Sequence, residues 1–314
     1  MPGISVKEAV KVLRIEDEKE LDQLFERASV LREETFSKDI SACFIVNARC
    51  GGCSEDCAFC AQSRHSSTGV EYYDLIASDE MYSAAEEAAK SGAERIGIVT
   101  SGRSVKGGRE LDAICESVKR ISSELPVSPC ASLGLLDEDL LRKLKESGLR
   151  RYHNNLETAR SYFPEICGTR SYDDQINTIK SAKAVGLEVC CGGIFGLGES
   201  LEQRIELLDT IRSLDIDSVP LNFLSPIPGT RLEGADYLTP EACLKIIAVA
   251  RLMMPGKSIR VCGGRELNLK ERQADIFRAG ADSLMIGDYL VTKGNAVDDD
   301  KKMIADAGLT LKSV

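Results

Sequence analysis

The chain has 314 residues, a net charge of −10 and a pI near 5.0, which argues against nucleic acid or an anionic membrane as its main partner. It holds no run of about 18 apolar residues and no signal-type apolar core after Met1, so a cytoplasmic protein is expected. Its twelve cysteines are then expected to stay reduced, while two histidines and no tryptophan argue against a His-based hydrolase.

In chain order, residues 6–13 and 17–31 carry apolar side chains at helical spacing and predict a helical extension over 1–39. Beyond it, short apolar runs at 42–47, 95–100, 127–133, 151–156, 188–194, 218–224, 258–262 and 283–286 predict strands. Amphipathic stretches at 81–90, 110–122, 137–146, 172–184, 201–214 and 240–253 predict helices, and several run into a glycine before the next strand. Eight β-then-α units imply parallel strands with right-handed crossovers, and eight is the closure number of a (β/α)8 TIM-type barrel. The α/β alternative, an open doubly wound sheet, should carry a glycine-rich dinucleotide turn after its first strand. A cysteine loop stands there instead. No linker interrupts 40–290, so one barrel domain is expected, followed by a charged tail over 291–314 that should form a short surface helix.

That loop reads Cys50-Gly51-Gly52-Cys53-Ser54-Glu55-Asp56-Cys57-Ala58-Phe59-Cys60. Structural zinc prefers two C-x2-C pairs far apart, and a plant-type ferredoxin needs C-x4-C-x2-C. Cys53, Cys57 and Cys60 are spaced C-x3-C-x2-C, with Phe59 before the last. Three thiolates on one loop suit a four-iron cluster that leaves one iron open, and this spacing resembles the radical S-adenosylmethionine signature. A zinc knuckle completed by Cys50 is the competing reading. Because barrel active sites sit at the C-terminal ends of the strands, the loop is expected at that mouth.

Strand parity sorts the other cysteines. Cys43, Cys130, Cys190 or Cys191, and Cys262 fall on the first, third, fifth and seventh strands, and Arg260 shares a face with Cys262. Several would converge on one lumen, which points to a second metal centre with Arg260 as an unusual ligand or charge neutraliser. Cys115, Cys167 and Cys243 read as small buried hydrophobes, and His65 and His153 as structural or surface residues. Asn155 and Glu157 on the fourth strand, with Asn222 on the sixth, offer amide and acid groups to a small ligand. Capping of neighbouring loops is the alternative for each.

Taken together, the cysteine loop, Tyr152-His153-Asn154-Asn155-Leu156-Glu157-Thr158, Cys191-Gly192-Gly193-Ile194-Phe195-Gly196-Leu197-Gly198-Glu199, Ser218-Val219-Pro220-Leu221-Asn222-Phe223-Leu224 and Ile259-Arg260-Val261-Cys262-Gly263-Gly264-Arg265-Glu266 resemble the biotin synthase family, in register from about residue 40 to 290. The resemblance implies a radical enzyme that inserts sulfur between C6 and C9 of dethiobiotin. Cys53, Cys57 and Cys60 would hold the [4Fe–4S] cluster, and Phe59 would lie by the adenine of S-adenosylmethionine. Asn155 and Glu157 would contact S-adenosylmethionine, with Asn155 and Asn222 also near dethiobiotin. Cys130, Cys190 and Arg260 would match three of four ligands of an auxiliary iron–sulfur cluster, the sulfur source. Flavodoxin or ferredoxin would donate electrons, and a homodimer is expected.

Two positions depart from the family pattern. Gly97 stands where a fourth cluster cysteine is expected, while Cys43 and Cys262 replace expected serines and Cys50 is additional. The expectation is therefore an atypical auxiliary cluster drawing on Cys43, Cys130, Cys190 and Cys262 with Arg260 nearby. Gln175 replaces an arginine expected near the methionine moiety. Another radical enzyme of the same subgroup (hydrogenase-maturase-like or methylornithine-synthase-like) and a non-catalytic iron–sulfur carrier remain as alternatives.

Overall fold

Helix starts are written into the chain as side-chain caps. Ser171 and Asp174, and likewise Ser200 and Gln203, close reciprocal capping boxes at the heads of Tyr172–Ala184 and Leu201–Ser213. Asp17, Asp137 and Thr239 cap Glu18–Phe36, Glu138–Glu146 and Pro240–Met253. These helices cover the outside of a parallel sheet in a computed structural model that describes residues 3–312.

The first strand, Asp39–Arg49, pairs with the second, Arg95–Thr100, and the order continues through Ser128–Ser132, Arg151–His153, the fifth strand, Ser218–Phe223, Ser258–Val261 and Ser283–Met285. Ser41 pairs with Ser283 and Cys43 with Met285, which closes the ring and rules out the open sheet. Eight strand positions thus form the expected barrel, with all pairings parallel. The core is aliphatic: Ile96, Ile98, Leu111, Ile114, Ile247 and Val261 are completely buried between the sheet and its helices.

The structure departs from the expected elements in several places. The fourth strand ends at His153 and the seventh at Val261, so Asn155, Glu157 and Cys262 sit just beyond their strands rather than on them. The second helix runs five residues further than expected, to Phe36. The fifth strand is split into Glu188–Cys190 and Gly193–Phe195, because the backbone at Gly192 passes so close to the next strand that a Cβ there would lie 1.8 Å from the Pro220 carbonyl oxygen. The tail is more than a surface helix. Its helix Val297–Asp306 buries Asp300 against Arg265 through two 2.9 Å contacts, and Thr310–Leu311 adds a parallel strand beside Asp39 and Ile40. Among the described residues, no helix is long and apolar enough to cross a membrane.

Candidate active site

The strands end at a cavity of about 410 Å³, a volume suited to a small-molecule site. All twelve residues singled out above as ligands or binding groups line it. Cys53, Cys57, Phe59 and Cys60 form one wall. The Cys60 N–H donates to the Cys57 carbonyl (3.0 Å) and the Cys53 N–H to the Gln62 carbonyl (3.0 Å), which folds the loop back on itself. Cys50 pairs through its backbone with Tyr73 instead.

The loop is docked on a second segment far along the chain, which no pattern in the residues foretells. Asp56 accepts the N–H groups of Gly168 (2.9 Å) and Thr169 (3.1 Å), and Glu55 accepts the Thr169 hydroxyl (3.0 Å). Burial pushes the Asp56 carboxyl up, but these N–H groups with the Cys167 thiol and Thr169 hydroxyl outweigh it and hold it at about 2. Cys167, expected as a bland buried residue, shares a hydrogen bond with Cys57. That bond and then burial push Cys57 up, while Cys167 falls to about 6.

Deeper in the lumen lie Cys43, Cys130, Cys190, Cys262 and Arg260. Of the adjacent pair, Cys190 faces the cavity and Cys191 packs in the apolar core. The Arg260 guanidinium lies within electrostatic reach of all four lumen thiols, donates to Ser283 Oγ (2.8 Å) and points one Nη at Cys190 Sγ (3.8 Å). Burial pushes the Cys130 thiol up to about 11. At Cys190 the neighbouring His153, Arg260 and Arg151 outweigh burial and bring the thiol down to about 6. His153, expected to be structural, is thus a cavity residue hydrogen-bonded to Cys190. Gly97 pairs with Ile45 and Cys130, and a Cβ on it would press within 3.2 Å of the Ile45 side chain.

Asn155 Oδ1 accepts the Gly192 N–H (3.1 Å) and its Nδ2 approaches Glu157 (3.5 Å). Asn222 bridges the Gly193 carbonyl and the Gly263 N–H (both 3.1 Å). Each amide is therefore held by loops, as the capping alternative anticipates, yet retains one N–H for a ligand. Glu157 takes φ +67°, rare for a side chain of its size, and its backbone carbonyl accepts the Ile194 N–H (2.7 Å). Burial raises the Glu157 carboxyl, with Arg170 pulling the other way.

A closed parallel barrel with a three-cysteine loop at its mouth and thiols in its lumen defines a radical S-adenosylmethionine enzyme. Accordingly, residues 49–211 match the Radical SAM superfamily, and residues 220–310 match the Biotin and Thiamin Synthesis associated domain. The chain is 51% identical to biotin synthase of Pelobacter propionicus over 92% of its own length and 88% of that protein's. It is 49% identical to biotin synthase of Citrifermentans bemidjiense over 98% and 93%. It belongs to the biotin synthase family. The structure of methylornithine synthase has the same fold, with a TM-score of 0.86 at 21% identity, covering 99% of this chain and 94% of that one.

Proposed function

We propose that this chain makes biotin by inserting sulfur at C6 and C9 of dethiobiotin, with S-adenosylmethionine as the radical source. Family membership supports the reaction. One observation carries the residue assignment: the three loop cysteines, the lumen thiols and the polar groups of Asn155, Glu157 and Asn222 share a single cavity.

The donor set fits iron–sulfur clusters better than a lone ion. Cys53, Cys57 and Cys60 at C-x3-C-x2-C spacing give three thiolates on one short loop, whereas structural zinc takes four closed ligands, and Cys50 is instead paired through its backbone with Tyr73. A cluster spreads its ligands over several iron atoms, so thiols spaced along one wall suit it. Cys53, Cys57 and Cys60 would hold the four-iron cluster. Cys43, Cys130, Cys190 and Cys262, with Arg260 among them, would hold the auxiliary one, Cys43 and Cys262 making up for the position that Gly97 leaves without a thiol. When bound, the first cluster supplies the electron that cleaves S-adenosylmethionine and the second supplies the sulfur.

The protein's own work is placement. Phe59 offers a face to adenine, and Glu157 reaches the ribose hydroxyls. The spare N–H groups of Asn155 and Asn222 address the ureido oxygen of dethiobiotin. Arg260, Arg151 and His153 supply positive charge that favours thiolate at Cys190, the form a metal binds. Burial of the lumen thiols keeps water from the reacting carbon. Flavodoxin or ferredoxin would supply electrons to a cytoplasmic homodimer.

Anaerobic turnover of the reconstituted protein with S-adenosylmethionine, a strong reductant and dethiobiotin tests the reading. Biotin and 5′-deoxyadenosine are expected, with more iron than one four-iron cluster contains. Cleavage of S-adenosylmethionine without biotin, with iron for one cluster alone, would refute the substrate and the second centre together.

A further inference from the structure

Three arginines line the cavity: Arg151, Arg170 and Arg260. Two are engaged. Arg151 Nε donates to Glu188 (2.9 Å), and Arg260 is bonded to Ser283 among the lumen thiols. Arg170 differs, because its guanidinium hydrogen-bonds to no described residue. Its nearest acid, Glu157, stands 3.7 Å away, and its Nε is buried without a partner. The side chain is only 11% exposed. A guanidinium has five N–H donors, and leaving them unmet in a buried place is costly unless a ligand takes them.

Its location narrows the ligand. Arg170 follows Gly168 and Thr169, which are pinned to Asp56 of the cysteine loop, and Arg103 donates to the Thr169 carbonyl (2.8 Å). The guanidinium therefore lies on the cysteine-loop side of the cavity, near Glu157 and within electrostatic reach of Cys57. Gln175, which replaces the arginine expected for the methionine moiety, does not line the cavity. Its Nε2 donates to the Asn155 carbonyl (2.9 Å) and its Oε1 accepts from Asn154 (3.3 Å), so both ends are occupied.

We propose that Arg170 binds the α-carboxylate of S-adenosylmethionine, supplying the cation that position 175 lacks. The planar fork matches a carboxylate through two parallel N–H bonds. The proposal rests on the radical S-adenosylmethionine reading and goes beyond it by assigning one bond.

Equilibrium dialysis of the cluster-reconstituted enzyme under anaerobic conditions tests it, using S-adenosylmethionine and 5′-methylthioadenosine, which keeps the nucleoside and sulfur but has no carboxylate. Arg170→Gln is expected to weaken S-adenosylmethionine by about 30-fold or more, the usual scale for a buried charge pair that loses one partner. Methylthioadenosine should stay within about twofold, and iron and sulfide content should match the parent. Arg170→Lys should fall between the two for S-adenosylmethionine only. Unchanged affinity for S-adenosylmethionine, or equal weakening of both ligands at full iron content, overturns the proposal. If Arg170→Gln loses iron, Arg170→Lys decides by the same comparison. A parent enzyme that binds no S-adenosylmethionine sinks the underlying reading, and the assignment with it.

Discussion

At Glu157 the backbone adopts a left-handed conformation that glycine would take without strain, and the fold holds it there through the bond from Ile194. Gly193 makes this arrangement possible, since a Cβ on it would sit 2.5 Å from the Glu157 carbonyl oxygen and 2.8 Å from Leu207. Gly193→Ala is accordingly expected to cost about 1–3 kcal/mol, read from the denaturation midpoint, and to weaken S-adenosylmethionine binding by displacing Glu157. The lumen thiols make a second prediction. Cys43→Ser and Cys262→Ser should each lose auxiliary iron, sulfide and biotin formation while still cleaving S-adenosylmethionine. Unchanged auxiliary iron and turnover would remove that residue from the ligand set. Strand parity made these thiols legible from sequence, because alternate residues of a barrel strand face one lumen. Cys167 and Arg170 were not legible. They reach the cysteine loop through a turn more than a hundred residues downstream, and no periodicity encodes that contact.

Among elements, the strands and helices of the barrel were the readable part, since each has an apolar face with a fixed period. The short helices Phe163–Ile166 and Arg265–Leu269 went unpredicted, being too brief to show one. The split in the fifth strand depends on close approach to Pro220, which the local sequence cannot express. The segment Cys167–Arg170 serves as a buttress for the cysteine loop through Asp56, whose carboxylate collects both backbone N–H groups. Asp56→Ala should hand those exposed donors to water, at a cost of about 1 kcal/mol, the net worth of a typical hydrogen bond. Faster amide exchange at Gly168 and Thr169, with lower iron retention on gel filtration, is the expected signature. Unaltered exchange there would show that the contact does not hold the loop.

Over the whole molecule, two buried ion pairs tie late elements to the barrel. Arg251 meets Asp282 just before the eighth strand, and Arg265 meets Asp300 on the tail helix. Removing one partner strands a buried charge, so Asp300→Ala should lose about 3–5 kcal/mol of stability, measured by denaturant unfolding. The tail contributes to the site as well, since Val291 and Thr292 line the cavity next to Leu290. The closing seam between Ser41 and Ser283 also bears on how the enzyme is made. A ribosome emits the first strand and its cysteine loop early, but the ring has no closing partner for them until some 240 further residues have emerged. Such distant pairing is slow to form. The four lumen thiols come from strands spread across that interval, so the pocket they share does not exist during most of translation. Under the proposed ligand set, iron reaching Cys43 or Cys130 before Cys262 has emerged would meet too few thiols to be held there.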